Sequence, residues 1–135
     1  MKVKFWRRNP SEEYQNSPVA EFIKDLRQRD PELWTLVEAH MRRADIPEVP
    51  LDEFRRQGLA KKMIDSGSSS LYEFRFPANY RKKGTARIYF CFDRVVRNQI
   101  WLLSAELKTE KDRKKKKKGN STAIKVAIDR CSDIR

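Results

Sequence analysis

Charged side chains alternate with apolar ones along two stretches of the chain, Leu71–Phe76 and Thr85–Asp93. Such alternation predicts strands whose successive side chains point to opposite faces of a sheet. One face would be mainly aromatic, and the other would carry Glu73, Arg75, Arg87 and Tyr89. A guanidinium offers paired donors to phosphate oxygens, and an aromatic ring offers a surface for a nucleobase. The second face therefore suits a nucleic-acid backbone, although the outward side chains of a half-solvated sheet would give the same pattern.

More basic residues flank this predicted face. Arg81, Lys82 and Lys83 follow one another in the loop between the two strands, and Lys108 comes at the end of a third predicted strand, Gln99–Leu107. Phosphate contacts supply much of the affinity of nucleic-acid-binding proteins and fix their orientation. We therefore expect these side chains to contact an RNA backbone together with the face itself.

The excess of positive charge lies in the second half of the chain. The 135 residues carry a formal net charge of +12. Residues 1–60 hold 11 basic and 11 acidic side chains, whereas residues 61–135 hold 20 and 8. This asymmetry indicates a polyanionic partner, with nucleic acid as the first candidate.

Five of the positive charges form one run, Lys114–Lys118. The second half remains basic without them. As a solvated segment the run would make no specific contact. As an electrostatic tether it would bind an RNA backbone through side chains such as Lys114, Lys115 and Lys116.

The common motifs of metal, nucleotide and triad chemistry are missing from the sequence. There is no HExxH, GxGxxG or GxxxxGKS/T motif, and the acidic residues are not grouped in a metal-binding pattern. The one histidine, His40, lies on the apolar stripe of a predicted helix, where we expect it to pack. We therefore expect no cofactor and no metal, and a nuclease without a metal would favour RNA, whose 2′-hydroxyl is an internal nucleophile.

The apolar segments and the cysteines predict a cytoplasmic protein without membrane contact. Runs such as Ile100–Leu103 are far shorter than the about 20 residues that cross a bilayer. Met1–Arg8 has no apolar core of the kind that marks a secretory signal. Cys91 and Cys131 are too few for a disulfide scaffold, so we expect buried free thiols in a reducing compartment.

The remaining elements must position the predicted face that carries Glu73, Arg75, Arg87 and Tyr89. Val3 and Phe5 alternate with polar neighbours and predict a short first strand. Ser17-Pro18 and Asp30-Pro31 each resemble a helix start, and apolar residues at helical spacing then predict helices over 18–29 and 31–44. The third of the later strands is apolar on both faces, which predicts an interior position in the sheet.

Shorter features connect these elements. We expect a short helix near Asp52–Gln57, an extended segment at 59–64 and a turn at Ser66–Ser70. A lysine-rich linker over 108–119 precedes a final helix that Asn120 or Ser121 would cap. The order β-α-α-β-β-β-α predicts one α+β domain over 1–135, with the first two helices packed on one face of a mostly antiparallel sheet.

Four short motifs, in this order, resemble the RelE/ParE toxin superfamily, and most of all its HigB-like, often phage-derived branch. They are LYEFRF at Leu71–Phe76, ARIYF at Ala86–Phe90, the strand end at Leu107–Thr109, and AIDR at Ala127–Arg130. The helix start at Ser17 is also similar. The resemblance covers roughly residues 17–44 and 71–135, and it implies a RelE-like fold.

The resemblance implies a toxin of a type II toxin–antitoxin pair that cleaves mRNA, usually on the translating ribosome, and that is bound by a helix-turn-helix antitoxin. In such enzymes the 2′-hydroxyl attacks the adjacent phosphate. By position in the motifs, Arg75 and Arg87 would stabilise charge in the transition state. Lys108 would contact the phosphate or transfer a proton.

The chain departs from the family pattern beyond Lys108. Thr109 replaces the second lysine of the strand-end pair, no tyrosine follows, and the linker is longer. The general base is therefore open between Glu73 and Glu110. Two other functions also remain open, a ParE-like inhibitor of DNA gyrase and a non-catalytic, basic phage accessory protein that binds nucleic acid.

Overall fold

A mixed β-sheet organises the part of the chain that the computed structural model describes, residues 1–63, 71–79, 81–114 and 121–134. Over these residues the sheet has five strands. The predicted order of elements counted four of them, but the second strand lies within the segment 59–64 that was predicted to be extended. The five strands are β1 (Lys2–Phe5), β2 (Ala60–Lys62), β3 (Leu71–Phe76), β4 (Thr85–Phe92) and β5 (Gln99–Lys108). Their spatial order is β1-β5-β4-β3-β2, with β1 parallel to β5 and the other pairs antiparallel. The α+β class and the interior position of β5 are confirmed.

Five helices accompany the sheet within the same residues, together with a 3₁₀ turn at Tyr14–Asn16. They are α1 (Pro18–Arg29), α2 (Pro31–Ala44), α3 (Leu51–Arg56), α4 (Glu110–Lys114) and α5 (Thr122–Ser132). The predicted bounds of α1 and α2 are confirmed, since a proline opens each helix and Asp30 caps α2 by accepting from the backbone N–H of Leu33.

The aromatic face of the sheet packs against the first helices, as predicted. Phe74 and Phe90 are fully buried, and their ring centroids lie 4.2 Å apart. Phe54 of α3 packs edge-on against Phe74, and His40 of α2 stacks on Phe76 at 4.8 Å. The histidine is therefore a packing residue, and this core joins β3 and β4 to α2 and α3.

A second apolar cluster covers the opposite face of the sheet, beneath α5. Buried residues of the strands meet buried residues of the helix in this cluster: Leu71, Tyr89, Cys91 and Leu103 from the sheet, and Ile124, Ala127 and Cys131 from α5. The pairing of β4 with β5 shifts between Tyr89 and Phe90, so Leu103 is an extra residue at a bulge. Arg130 of α5 donates to the carbonyl of Leu103 at 2.6 Å, which fastens the helix at this bulge.

The helix α4 occupies part of the predicted lysine-rich linker. Thr109 caps α4, because its hydroxyl accepts from the backbone N–H of Asp112 at 3.4 Å while its own backbone N–H donates to the Asp112 carboxylate at 3.0 Å. Ser121 caps α5 by accepting from the backbone N–H of Ile124. The predicted turn at Ser66–Ser70 and the alternative cap Asn120 lie outside the described residues.

Cys91 and Cys131 are both buried, and neither is part of a disulfide. None of the helices over the described residues is long and apolar enough to cross a membrane.

Candidate nucleic-acid interface

Six charged side chains lie on the face of the sheet that carries α5, close to the start of that helix. We call this set the basic face: Lys61, Glu73, Arg75, Arg87, Glu106 and Lys108. The strand pairing brings them together, since Arg75 lies opposite Arg87, Arg87 opposite Glu106, and Lys61 opposite Glu73. The two arginines and Lys108 keep about 30% of their side-chain surface exposed. The prediction that Glu73, Arg75 and Arg87 share one face is therefore confirmed.

Glu73 is the buried counter-charge of the arginine pair. Its side chain has no exposed surface, and its Oε1 accepts from Nε of Arg75 at 2.8 Å. Its Oε2 lies 3.9 Å from Nη1 of Arg87, and Nζ of Lys61 lies 3.8 Å from Oε1. Like charges directly opposite each other on neighbouring strands repel. The carboxylate offsets this repulsion and holds both guanidinium groups near one point.

The arginine pair retains capacity to bind an anion. Nε of Arg87 and Oε2 of Glu73 are buried and make no hydrogen bond with any described residue. One carboxylate therefore faces three cations, Lys61, Arg75 and Arg87. A phosphate group is the kind of ligand that two part-exposed guanidinium groups bind with paired hydrogen bonds.

Glu106 is a site residue that the sequence reasoning missed. Its Oε2 accepts from the hydroxyls of Tyr89 at 2.7 Å and Ser121 at 2.6 Å, and its Oε1 lies 3.3 Å from Nζ of Lys108. The carboxylate thus links β4, β5 and the start of α5, and it keeps 19% of its side-chain surface exposed. Its spacing of two residues from Lys108 was the available signal, because alternate strand residues share a face.

Tyr89 is not accessible for stacking on a nucleobase, which corrects the prediction. Its ring lies on the expected face but is completely buried beneath α5. Burial and the hydrogen bond to Glu106 raise the pKa of Tyr89 far above its usual value. The phenol therefore remains a neutral donor that orients Glu106.

Arg81 forms an ion pair with Asp30, and its predicted contact with RNA stays a prediction. Its two terminal nitrogens donate to the two carboxylate oxygens of Asp30 at 2.7 and 2.8 Å. The guanidinium lowers the pKa of Asp30 and joins the β3–β4 loop to the junction of α1 and α2. Lys82 and Lys83, in the same loop, are exposed and remain candidates for RNA contact.

The other predicted site residues come after Lys108 in the sequence. Glu110 is the first residue of α4, two positions after Lys108. Lys114 ends this helix, and its side chain lies outside the described part of the molecule, as do Lys115 and Lys116. In the described ranges, no group of three His, Cys, Asp or Glu side chains is placed to hold a metal ion.

Comparison with known proteins adds no relative. No protein-family model, curated protein or solved structure matches this chain. The relationship to RelE/ParE toxins therefore stays a prediction from the sequence motifs. The basic face itself offers two guanidinium groups, two ammonium groups and one part-exposed carboxylate.

Proposed function

We propose that this chain is an endoribonuclease of the RelE-like toxin type, which cleaves mRNA, on the ribosome, and arrests growth until a helix-turn-helix antitoxin binds it. The observation that carries the proposal is the part-exposed arginine pair, Arg75 and Arg87, directly opposed on β3 and β4. Its position beside Glu106 and Lys108 supplies the acid–base groups that RNA cleavage through the 2′-hydroxyl requires.

The arginine pair binds the scissile phosphate in this mechanism. When the 2′-oxygen attacks phosphorus, negative charge builds on the phosphate oxygens that are not displaced. Arg75 and Arg87 are held by one buried carboxylate, so they do not need to reorganise as this charge grows. Contacts that strengthen in the transition state raise the rate of cleavage rather than the affinity for the substrate.

Glu106 is better placed than Glu73 to accept the proton of the 2′-hydroxyl. Glu73 is inaccessible and paired with Arg75, whereas Oε1 of Glu106 is on the part-exposed face between Arg87 and Lys108. The O2′–P bond forms as Glu106 takes the proton, and the P–O5′ bond breaks as Lys108 protonates the leaving 5′-oxygen. The products are a 2′,3′-cyclic phosphate and a 5′-hydroxyl end.

Inducible expression in bacteria, with growth and transcript 5′ ends followed together, tests this function. Arg75→Ala and Arg87→Ala should each lower the rate of RNA cleavage by about 10²–10³ and relieve growth arrest, because each removes a donor to the developing charge. Arg97→Ala is the matched control, since Arg97 is exposed in the β4–β5 turn. If both arginine variants are folded and fully toxic, the nuclease proposal fails, and gyrase inhibition or simple binding takes its place.

A second pair of variants tests the acid–base assignment. Glu106→Gln keeps an oxygen acceptor for Tyr89 and Ser121, so the fold and RNA binding should persist while cleavage is lost. Glu73→Gln should instead destabilise the fold, because three cations lose their counter-charge. A Glu106→Gln enzyme with the wild-type cleavage rate and pH profile would eliminate Glu106 as the base.

A further inference from the structure

A second concave site lies at the opposite end of α5 from the basic face. It is a cavity of about 290 Å³, lined by Trp6, Arg7, Arg8, Pro10, Trp101 and Asp133. We call it the tryptophan cavity. Asp133 directly follows α5, whereas Ser121, which contacts Glu106, precedes it. An 11-residue helix is about 16 Å long, so the two sites are separated by roughly that distance.

Two of the three tryptophans of the chain line this cavity, and contacts hold both rings in place. The indole N–H of Trp101 donates to Oδ2 of Asp93 at 2.8 Å. The guanidinium of Arg130 lies 4.2 Å from the centre of the Trp6 ring. Fixed aromatic rings present a stacking surface at little entropic cost, which is the feature that single-stranded nucleic acids use.

Among the described residues, Arg7 lines the cavity as a cation without a carboxylate partner, whereas Asp133 adds one carboxylate to the same lining. Arg8 is neutralised by Glu12 and Glu21 through ion pairs. Arg7 donates only to backbone carbonyls, those of Pro10 at 3.2 Å and Glu12 at 3.3 Å, and it forms no ion pair with a described residue. Its exposed guanidinium therefore lies beside the aromatic rings with its charge available to an anion.

We infer that the tryptophan cavity binds one nucleotide unit of a single-stranded RNA, with the base against the indole rings and the phosphate at Arg7. The cavity volume is at the lower end of the range for small-ligand sites, which suits a single base. An acidic peptide would satisfy Arg7 but would leave the two rings without a stacking partner. The inference concerns binding alone, so it does not require that the basic face cleaves RNA.

Binding of a fluorescently labelled, 2′-O-methylated 12-mer of uridine, measured by anisotropy, tests the inference without cleavage. Trp6→Leu should weaken binding by about 5- to 100-fold, the range expected for the loss of one stacked base, and Trp6→Phe should retain most of the affinity. Arg7→Ala should also weaken binding and lower the slope of log affinity against log salt by about one charge. Trp34→Leu is the matched control, because Trp34 lies on α2 and stacks with Arg27.

The outcomes separate this inference from the proposed function. Unchanged affinity in a folded Trp6→Leu protein and in Arg7→Ala would overturn the inference, even if Arg75→Ala abolished cleavage. Loss of affinity in both variants would support it, even if the arginine pair proved inactive. A third outcome is that Arg7→Ala loses affinity for a poly-glutamate peptide but binds the oligonucleotide as wild type does. That outcome would show a peptide site and would also overturn the inference.

Discussion

Replacing Arg81 separates a structural role from a role in RNA binding. The side chain forms two charge-assisted hydrogen bonds with Asp30, at 2.7 and 2.8 Å, and a third contact to the carbonyl of Gly84 at 3.2 Å. The two bonds to Asp30 connect residues that are 51 positions apart in the chain. Arg81→Ala therefore removes the link between the β3–β4 loop and the α1–α2 junction.

The expected loss of unfolding free energy follows from the exposure of the Arg81 and Asp30 side chains. The side chains of Arg81 and Asp30 are 16% and 13% exposed. Exposed ion pairs contribute up to about 1 kcal/mol, and breaking a fully buried pair costs about 3–5 kcal/mol. The Arg81–Asp30 pair lies between these limits, so Arg81→Ala should lower the free energy of unfolding by about 2–3 kcal/mol.

Urea unfolding, followed by far-UV circular dichroism, measures this change. Because Arg81 lowers the pKa of Asp30, the pair stabilises the fold above the unfolded pKa of about 4, and this stabilisation is lost as the pH falls through the folded pKa. The difference between wild type and Arg81→Ala should therefore shrink in acid. Lys82→Ala is the control, since Lys82 is exposed in the same loop and should leave the unfolding free energy unchanged.

One result would refute the structural role. If Arg81→Ala unfolds within about 0.5 kcal/mol of wild type, and its affinity for RNA falls more than that of Lys82→Ala, the guanidinium acts on RNA and its pairing with Asp30 is incidental. A double-mutant cycle with Asp30→Asn measures the coupling directly, because asparagine keeps the cap of α2.

Three further predictions test the core, the lysine run and the histidine. Phe90→Ala should cost about 3–5 kcal/mol in urea unfolding, because the ring is fully buried on Phe74, and a loss under about 1 kcal/mol would contradict the assignment of faces. Replacing Lys114–Lys118 by serine should flatten the salt dependence of RNA binding and leave the cleavage positions unchanged, whereas an unchanged slope would make the run an inert linker. Burial lowers the pKa of His40, so stability should fall as the pH drops below the unfolded pKa of about 6.5, and His40→Phe should abolish that component. An identical pH dependence in the variant would show that other groups cause it.

The sequence determined the elements whose signals are local. Proline after Ser17 and after Asp30 marked the starts of α1 and α2, and alternation marked the strands β3 and β4. These signals lie within a few residues of one another, since they reflect backbone preferences and the side-chain period of a single element. The same alternation placed Glu73, Arg75 and Arg87 on one face without any information on strand pairing.

The tertiary structure determined what covers each face of the sheet and which charged side chains pair with one another. The packing of α5 on β4 buried Tyr89, which alternation alone presents as accessible. Asp30 and Arg81 lie far apart in the chain, and nothing local couples them. Glu106 became a site residue because β4, β5 and the cap of α5 converge on its carboxylate. A period of two specifies the side of a strand, but contacts between distant segments determine what covers that side.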